Sequence, residues 1–396
     1  MESATLNHIL QQMSNPPALH IGKIAVDYSV LIAQYLPKNL HVICDIHTQQ
    51  RLPFPTLCFN PPPKADMPTV ETIRQQTAKA DALIAVGSGT INDLVKYASF
   101  LDGKPYLVIA TAPSMNGYVS ANASISEDGH KHTLPAHGPV AVLADIPTLA
   151  TAPLPLIQAG IGDTLCRSTV QADWLLSHLL LGTPYEPMYF EWMRESEEQL
   201  LSSLRGGKAD AATQTGLLHY ARNDELVKTL FNTLTISGLA MRHHGSSAPA
   251  SQGEHMIAHT REMLFPELPS HFHGLEIAVT TLAMAQWQEK ILSAATTPQI
   301  SYAEAPEIFR REYAEKFPNA EIVAALNQKL KREWPEIRAQ IQAIHRPSND
   351  LKLLFESINC KIHPQDLGWS DTAFTQALHT ARFTRNRFTF LDLKPS

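Results

Sequence analysis

Four short apolar runs stand out in the first part of the chain: Leu40–Cys44 (LHVIC), Ala82–Val86 (ALIAV), Tyr106–Ala110 (YLVIA) and Val140–Ala144 (VAVLA). Each is near-continuous rather than alternating, the pattern of a strand covered on both faces of a parallel sheet. Proline-rich segments (Pro53, Pro55, Pro61–Pro63) and a helical stretch, Pro68–Lys79, separate the first two runs, and Asn92–Phe100 reads as a helix after the second. Strand, helix, strand with short links is the βαβ unit, so residues 1–150 are expected to form an α/β domain.

After Thr148 the periodicity changes. Leu165–Leu181, Tyr189–Leu204, Ala211–Met241, Gly253–Met263, His273–Ala294, Tyr302–Lys316, Ile322–Ile344 and Leu351–Ile358 all read as helices, and strand-like runs are scarce. Residues 151–396 are therefore expected to form an all-α domain. A proline-rich link (Pro147, Pro153, Pro155) marks the boundary near 148–155.

Composition narrows the function. The 396 residues suit two domains. A net charge of −6 argues against a nucleic-acid binder, which needs a basic surface. Four scattered cysteines without a C-x-x-C pair exclude a disulfide scaffold and a cysteine zinc ribbon, and suit a reducing compartment. Met1-Glu2-Ser3 lacks the basic start of a secretion signal, and no apolar window is long enough to span a membrane, so a cytoplasmic protein is expected. Histidine is the outlier: its 18 residues approach half of the 38 acidic ones. Histidine is both the commonest metal ligand and the usual acid/base near neutral pH.

Two loops follow consecutive strands. Val86-Gly87-Ser88-Gly89-Thr90-Ile91-Asn92-Asp93 opens a helix, and its glycines let backbone N–H groups approach a phosphate. It also suits a plain strand-to-helix turn. Thr111-Ala112-Pro113-Ser114-Met115-Asn116-Gly117-Tyr118-Val119-Ser120 gathers small and hydroxyl residues at a strand's carboxyl end, where open α/β sheets bind ligands. Asp45, just after the first strand, can accept ribose hydroxyls or serve as a turn acid.

The helical part supplies metal-ligand candidates. Gly160-Ile161-Gly162-Asp163 precedes an apolar helix, which puts Asp163 at its N-terminus as a ligand or a cap. Gly253-Glu254-His255-Met256-Ile257-Ala258-His259 sets His255 and His259 at i and i+4 on one helix face. His271-Phe272-His273-Gly274 adds a second pair, with His273 opening the next helix. One carboxylate and two imidazoles suit a metal that keeps a position for substrate. Met256 stands where a metalloprotease motif needs its glutamate, which excludes that reading.

Taken together, V-G-S-G-T-I-N-D, T-A-P-S-M-N-G-Y-V-S, G-I-G-D, G-E-H-M-I-A-H and H-F-H-G-L-E resemble the sn-glycerol-1-phosphate dehydrogenases. These belong to the iron-containing alcohol dehydrogenase and dehydroquinate synthase-like superfamily. Gly162–Trp174 and the ending Arg382–Leu393 resemble its bacterial members. The resemblance implies a dinucleotide-binding α/β domain, an all-α domain and an active site in the interdomain cleft. It implies that Gly87, Ser88, Gly89, Thr90 and Ile91 hold the pyrophosphate of NAD or NADP, and that Thr111, Ala112, Pro113, Ser114 and Ser120 line the cofactor. It implies one divalent metal (zinc, nickel or iron) on Asp163, His255 and His273, with His259 touching the substrate. One position departs: the archaeal-type S-x-D-G pattern has Asp where this chain has Asn116, which can bond a hydroxyl or keto oxygen but cannot relay a proton as a carboxylate does.

The expected reaction is reversible reduction of dihydroxyacetone phosphate, or a closely related phosphorylated ketone, to sn-glycerol 1-phosphate or its counterpart. A homo-oligomer, dimer or larger, is expected, with no nucleic-acid partner. Two alternatives stay open here: a dehydroquinate-synthase-like cyclase using NAD transiently, and a non-catalytic ligand-binding protein on this scaffold.

Overall fold

The computed structural model describes residues 4–50, 52–127, 130–206 and 221–394. The chain divides into two compact units that alternate along the sequence: Met1–Thr164 with Glu191–Ser247, and Leu165–Phe190 with Ala248–Ser396.

The first unit is built on a parallel six-stranded sheet. Its strands are β1 (Ala18–Gly22), β2 (Leu40–Asp45), β3 (Thr56–Phe59), β4 (Ala82–Gly87), β5 (Tyr106–Ala110) and, after a separate antiparallel hairpin of β6 (Asn122–Glu127) and β7 (His130–Pro135), β8 (Ala141–Asp145). Their order across the sheet is β1-β8-β5-β4-β2-β3, and every pairing is parallel. All four strands expected from the sequence are present, and two more join at the edges. β4 and β5 are buried at every position, as continuous apolar runs require. The edge strands β1 and β3 are mostly half-exposed and carry polar residues, so their apolar signal is weak.

The chain leaves β2 for β3 on one side and leaves β4 for β5 on the other. Connections that diverge from adjacent strands open a crevice beyond their carboxyl ends, the usual ligand site of such sheets. Asp45 ends β2 and Gly87 ends β4, so the loops singled out in the sequence lie at that crevice.

The second unit is mainly helical. Arg167–Leu181, Gly253–Leu264, His273–Ser293 and Ala320–Gln342 surround a core that includes Leu176, Met256, Ile257, Met284, Trp334 and Phe390. A two-residue antiparallel pair joins β9 (Gln299–Ile300) to β10 (Leu393–Lys394).

Three expectations change. The helix expected over Tyr302–Lys316 is confined to a 3-10 turn, Glu307–Phe309, and Arg310–Lys316; Pro306 stands just ahead and lacks the backbone N–H that a helix running back to Tyr302 would use. Of Ala211–Met241, residues 211–220 lie outside the described chain, and the described helix runs Asp224–His244, capped by Asn223. Asp163 does not open a helix: it lies in the last turn of Leu154–Leu165, which runs through both Gly160 and Gly162.

Candidate functional site

At the sheet crevice, the side chain of Asp45 closes a turn. Its Oδ1 accepts from the backbone N–H of His47 and Thr48 at 2.9 and 3.0 Å and from the Thr48 hydroxyl at 3.1 Å. The Thr48 hydroxyl also lies 2.9 Å from the Val86 carbonyl, which ties the end of β2 to the end of β4. Ser88 then caps the helix Gly89–Leu101 without a side-chain bond, and Ile91, buried in the first turn, packs onto Gly87. The start of that helix points backbone N–H groups at the crevice, a ready anion site. Thr90 is exposed there, while Ser88 and Gly89 are half-buried.

The loop after β5 is held from three directions. The Tyr118 hydroxyl donates to the Ala112 carbonyl at 2.7 Å. The buried Lys96 ammonium donates to the carbonyls of Gly117 and Asn122 at 2.6 and 2.9 Å, to the Ser120 hydroxyl at 3.2 Å and to Asp93 at 3.3 Å. Ser120 is thus engaged by the chain's own groups, whereas Thr111 is half-buried and Ser114 buried at the strand end. The Asn116 backbone N–H donates to Asp163 at 2.8 Å, and its side-chain amide reaches the Ser237 hydroxyl at 3.4 Å. This contact explains Gly160, one of the two helical glycines near Asp163. A Cβ on Gly160 would sit 1.8 Å from the Pro113 carbonyl oxygen, so only glycine lets the helix carry Asp163 up to this loop.

In the second unit, two helices bring three imidazoles together. His255 and His259 lie one turn apart on Gly253–Leu264, and His273 is the first residue of His273–Ser293. The loop between these helices is clamped by a buried ion pair, Arg261 Nη2 to Glu276 Oε1 at 2.5 Å. Arg261 also lies over the Trp369 ring, 4.5 Å from its centroid, and Glu276 accepts the His271 N–H at 3.1 Å. An ion pair this buried stabilises little by itself but fixes geometry.

Glu254, fully buried, orients the first imidazole. Its Oε1 accepts from the Gln252 N–H at 2.8 Å and pairs with Nδ1 of His255 at 2.7 Å, and its Oε2 accepts from the Thr169 hydroxyl at 3.1 Å. A carboxylate can only accept, so the neutral His255 ring carries its proton on Nδ1 and its lone pair on Nε2. Behind it, the buried Asp173 accepts the Gly253 and Phe390 N–H groups at 2.9 and 3.0 Å. Burial, reinforced by nearby Glu254, pushes the Asp173 carboxyl well above the usual carboxylate range.

The ring spacing tests whether these histidines suit a metal. An ion about 2.1 Å from an imidazole nitrogen lies about 3.2 Å from the ring centroid, so two rings sharing it tetrahedrally have centroids about 5.2 Å apart. His255 and His273 are 5.1 Å apart. His259 is 6.4 Å from His255 and 6.0 Å from His273, which a shared ion of that kind would meet only at angles of about 140° or more. The pair His255/His273 fits a divalent ion, and His259 fits a place beside it. A carboxylate behind the Nδ1 of a ligand histidine is the usual supporting arrangement. Cys166 joins this support: its Sγ and one ligand atom each of Glu254 and His255 lie within 4.8 Å of one another.

The sequence reading passed over Glu254, Lys96 and the Arg261–Glu276 clamp. Glu254 had a signal, an acid directly before a candidate ligand in the first turn of a helix. Lys96 pairs locally with Asp93, but its partners Gly117 and Asn122, like the two halves of the clamp, are brought near only by the fold.

Residues 43–153 match the family model for iron-containing alcohol dehydrogenase. The chain is 30% identical over 316 residues to the glycerol-1-phosphate dehydrogenase (NAD(P)+) of Halalkalibacterium halodurans, covering 79% of this chain and 71% of the relative. It is 34% identical over 247 residues to the enzyme of the same name from Bacillus licheniformis, covering 62% of this chain and 57% of the relative. Among solved structures, a probable glycerol dehydrogenase from Sinorhizobium meliloti matches with a TM-score of 0.61 at 17% identity, over 94% of this chain and 92% of that one, a likeness of fold.

Proposed function

The chain belongs to the glycerol-1-phosphate dehydrogenase family, and from that premise we propose that it reversibly reduces dihydroxyacetone phosphate, or a closely related phosphorylated ketone, using NAD(P)H and a divalent metal. The observation that carries this reading is the His255/His273 pair, 5.1 Å apart with Glu254 behind His255. The matched relatives are dehydrogenases, and neither a cyclase nor a binding-only protein gains support over that activity.

His255, His273 and Asp163 hold the metal in this proposal, and the metal is zinc, nickel or iron. Such an ion would supply a Lewis acid for the substrate carbonyl, and a bound nicotinamide would supply or take the hydride. The backbone N–H groups from Gly87 to Ile91, at the start of the helix Gly89–Leu101, bind the pyrophosphate. Thr111, Ala112, Pro113 and Ser114 line the cofactor, and Ser120 acts there through the loop that Lys96 holds. Asp45 meets the ribose. In this assignment residues 1–150 bind the dinucleotide and residues 151–396 bind metal and substrate.

His259 orients the substrate or carries a proton at a ring nitrogen, one helical turn from His255. Asn116 bonds a substrate oxygen through its side-chain amide and transfers no proton. No helix among the described residues is long and apolar enough to cross a membrane, and we place the enzyme in the cytoplasm as a homo-oligomer.

The test is a zinc titration of the metal-stripped protein followed by the same titration of His273→Ala. One equivalent should bind the parent protein, and binding should be lost in the variant while the circular dichroism spectrum is kept. Equal binding by both would remove His273 from the ligand set.

A further inference from the structure

We propose that Cys44 and Cys58 form a reversible disulfide, a thiol oxidation site at the edge of the sheet that loosens cofactor binding. The bond itself stands on the fold alone, and its effect on the cofactor rests on the proposed function.

The two cysteines are register partners on neighbouring parallel strands, Cys44 on β2 and Cys58 on β3. Adjacent strands lie about 4.8 Å apart, and disulfides usually join Cα atoms about 4.4–6.8 Å apart. The backbone spacing therefore suits the bond. Register partners point to the same face of a sheet, and Cys58 packs against the apolar cluster that contains Cys44, Val42 and Val86. Both thiols are free. Burial, with a hydrogen bond to Cys58 added, pushes the Cys44 thiol up to about 12. The other two cysteines, Cys166 and Cys360, lie in the second unit.

Exposure gives the pair two roles. Cys44 is fully buried, whereas Cys58 is half-buried on an edge strand, so a small oxidant such as hydrogen peroxide meets Cys58 first. The Cys58 sulfur attacks one peroxide oxygen, the O–O bond breaks, and the leaving hydroxide takes the thiol proton as water. The Cys44 sulfur then attacks the sulfenic sulfur of Cys58. The S–S bond forms, the S–O bond breaks, and hydroxide leaves as water with the Cys44 proton. Two thiols and one peroxide give one disulfide and two waters. Cys44 keeps its proton at neutral pH, so contact rather than acidity drives the second step. A dithiol reductant reverses the bond by exchange.

The bond would act on the neighbouring cofactor turn. Asp45 follows Cys44, and its carboxylate accepts the Thr48 N–H at 3.0 Å. The Thr48 hydroxyl lies 2.9 Å from the Val86 carbonyl, which links the ends of β2 and β4. β2 stands between β4 and β3. Closing the two sulfurs to about 2.0 Å draws the end of β2 toward β3 and away from β4. The Thr48–Val86 link is stretched, and Asp45, the residue placed at the ribose, moves with it. In a reducing compartment such a bond is transient and forms under oxidation.

The test is peptide mapping after hydrogen peroxide, with free thiols alkylated before digestion. Trypsin cuts after Arg51 and separates residues 39–51, with Cys44, from residues 52–64, with Cys58. The parent protein should yield these two peptides joined, lighter than their sum by two hydrogens, and dithiothreitol should part them. Cys58 recovered as a sulfinic or sulfonic acid beside an alkylated Cys44 would overturn the proposal, as would cross-links only to Cys166 or Cys360. The second readout is NADH affinity. It should be about 3- to 10-fold weaker in the cross-linked parent, the effect of one lost hydrogen bond, and dithiothreitol should restore it. Peroxide should leave the NADH affinity of Cys58→Ser unchanged, and Cys58→Ala serves if that variant fails to fold. Equal affinity in the cross-linked and reduced parent, or the same weakening in the variant, would overturn the link to the cofactor. A parent that binds no NADH in either form would refute the cofactor reading, while the mapping still decides the disulfide.

Discussion

Replacing Glu254 should weaken metal binding without touching a metal ligand. In Glu254→Ala the Nδ1–H of His255 and the N–H of Gln252 lose their acceptor, whereas the Thr169 hydroxyl still reaches the Cys166 carbonyl at 2.8 Å. Two orphaned buried donors cost about 1–3 kcal/mol each. Freed of its partner, the His255 ring can also move its proton to Nε2, the nitrogen assigned to the metal. Loss of such a supporting group lowers metal affinity about 10- to 100-fold, or about 1.4–2.7 kcal/mol. Glu254→Gln should lose far less. Its amide oxygen can still accept from Gln252 and His255, and its amide nitrogen can donate to Thr169, whose own proton turns to Cys166. The assay is competition for zinc against a chromophoric chelator, with nitrogen NMR of the metal-free protein to read the His255 tautomer. The parent and Glu254→Gln should both carry the proton on Nδ1. Zinc binding by Glu254→Ala as tight as the parent's, or a parent His255 protonated on Nε2, would refute the reasoning.

Three further outcomes follow from the same geometry. Gly160→Ala forces a methyl group into the Pro113 carbonyl, and because backbone must move, stability should fall by about 1–3 kcal/mol in urea unfolding, with weaker NADH binding. Lys96→Met strips the loop of its ammonium and should alter the pH profile of stability. Burial lowers the Lys96 pKa below 10.5, partly offset by Asp93, so the folded state releases its proton first and stability rises with pH between the lowered value and 10.5. Urea midpoints across that range should lose this rise in the variant. Glu276→Gln leaves the buried Arg261 charge without its partner and should destabilise by about 3–5 kcal/mol, while weakening zinc binding because the clamp sets His273 against His255.

How far the sequence carried depended on whether a feature was local. β2, β4, β5 and β8 were legible because strands buried on both faces print unbroken apolar runs. β1 and β3, half-exposed at the edges, did not. His255 and His259 were legible because one helix turn fixes their spacing. Asp163 stands out in the sequence, but Gly160 and Gly162 look like a break before a helix; both are helical, and Gly160 is glycine because the Pro113 loop packs too close for a side chain. The contact between Arg385 and Ser251 left no mark in the sequence, because the two lie 134 residues apart. Glu254 acts through a neighbour in sequence, yet its meaning depends on Thr169, which lies 85 residues away. Helix and strand periods report burial, and they carry no record of which distant polar groups share a site.

The most direct test is turnover with product analysis. The metal-loaded protein is given dihydroxyacetone phosphate with NADH or NADPH, and the product is resolved by an enantiospecific assay. The account predicts cofactor oxidation that stops on chelation, returns with added zinc, nickel or iron, and yields sn-glycerol 1-phosphate. A protein that holds one equivalent of metal and binds the nicotinamide, yet reduces no phosphorylated ketone, would contradict it.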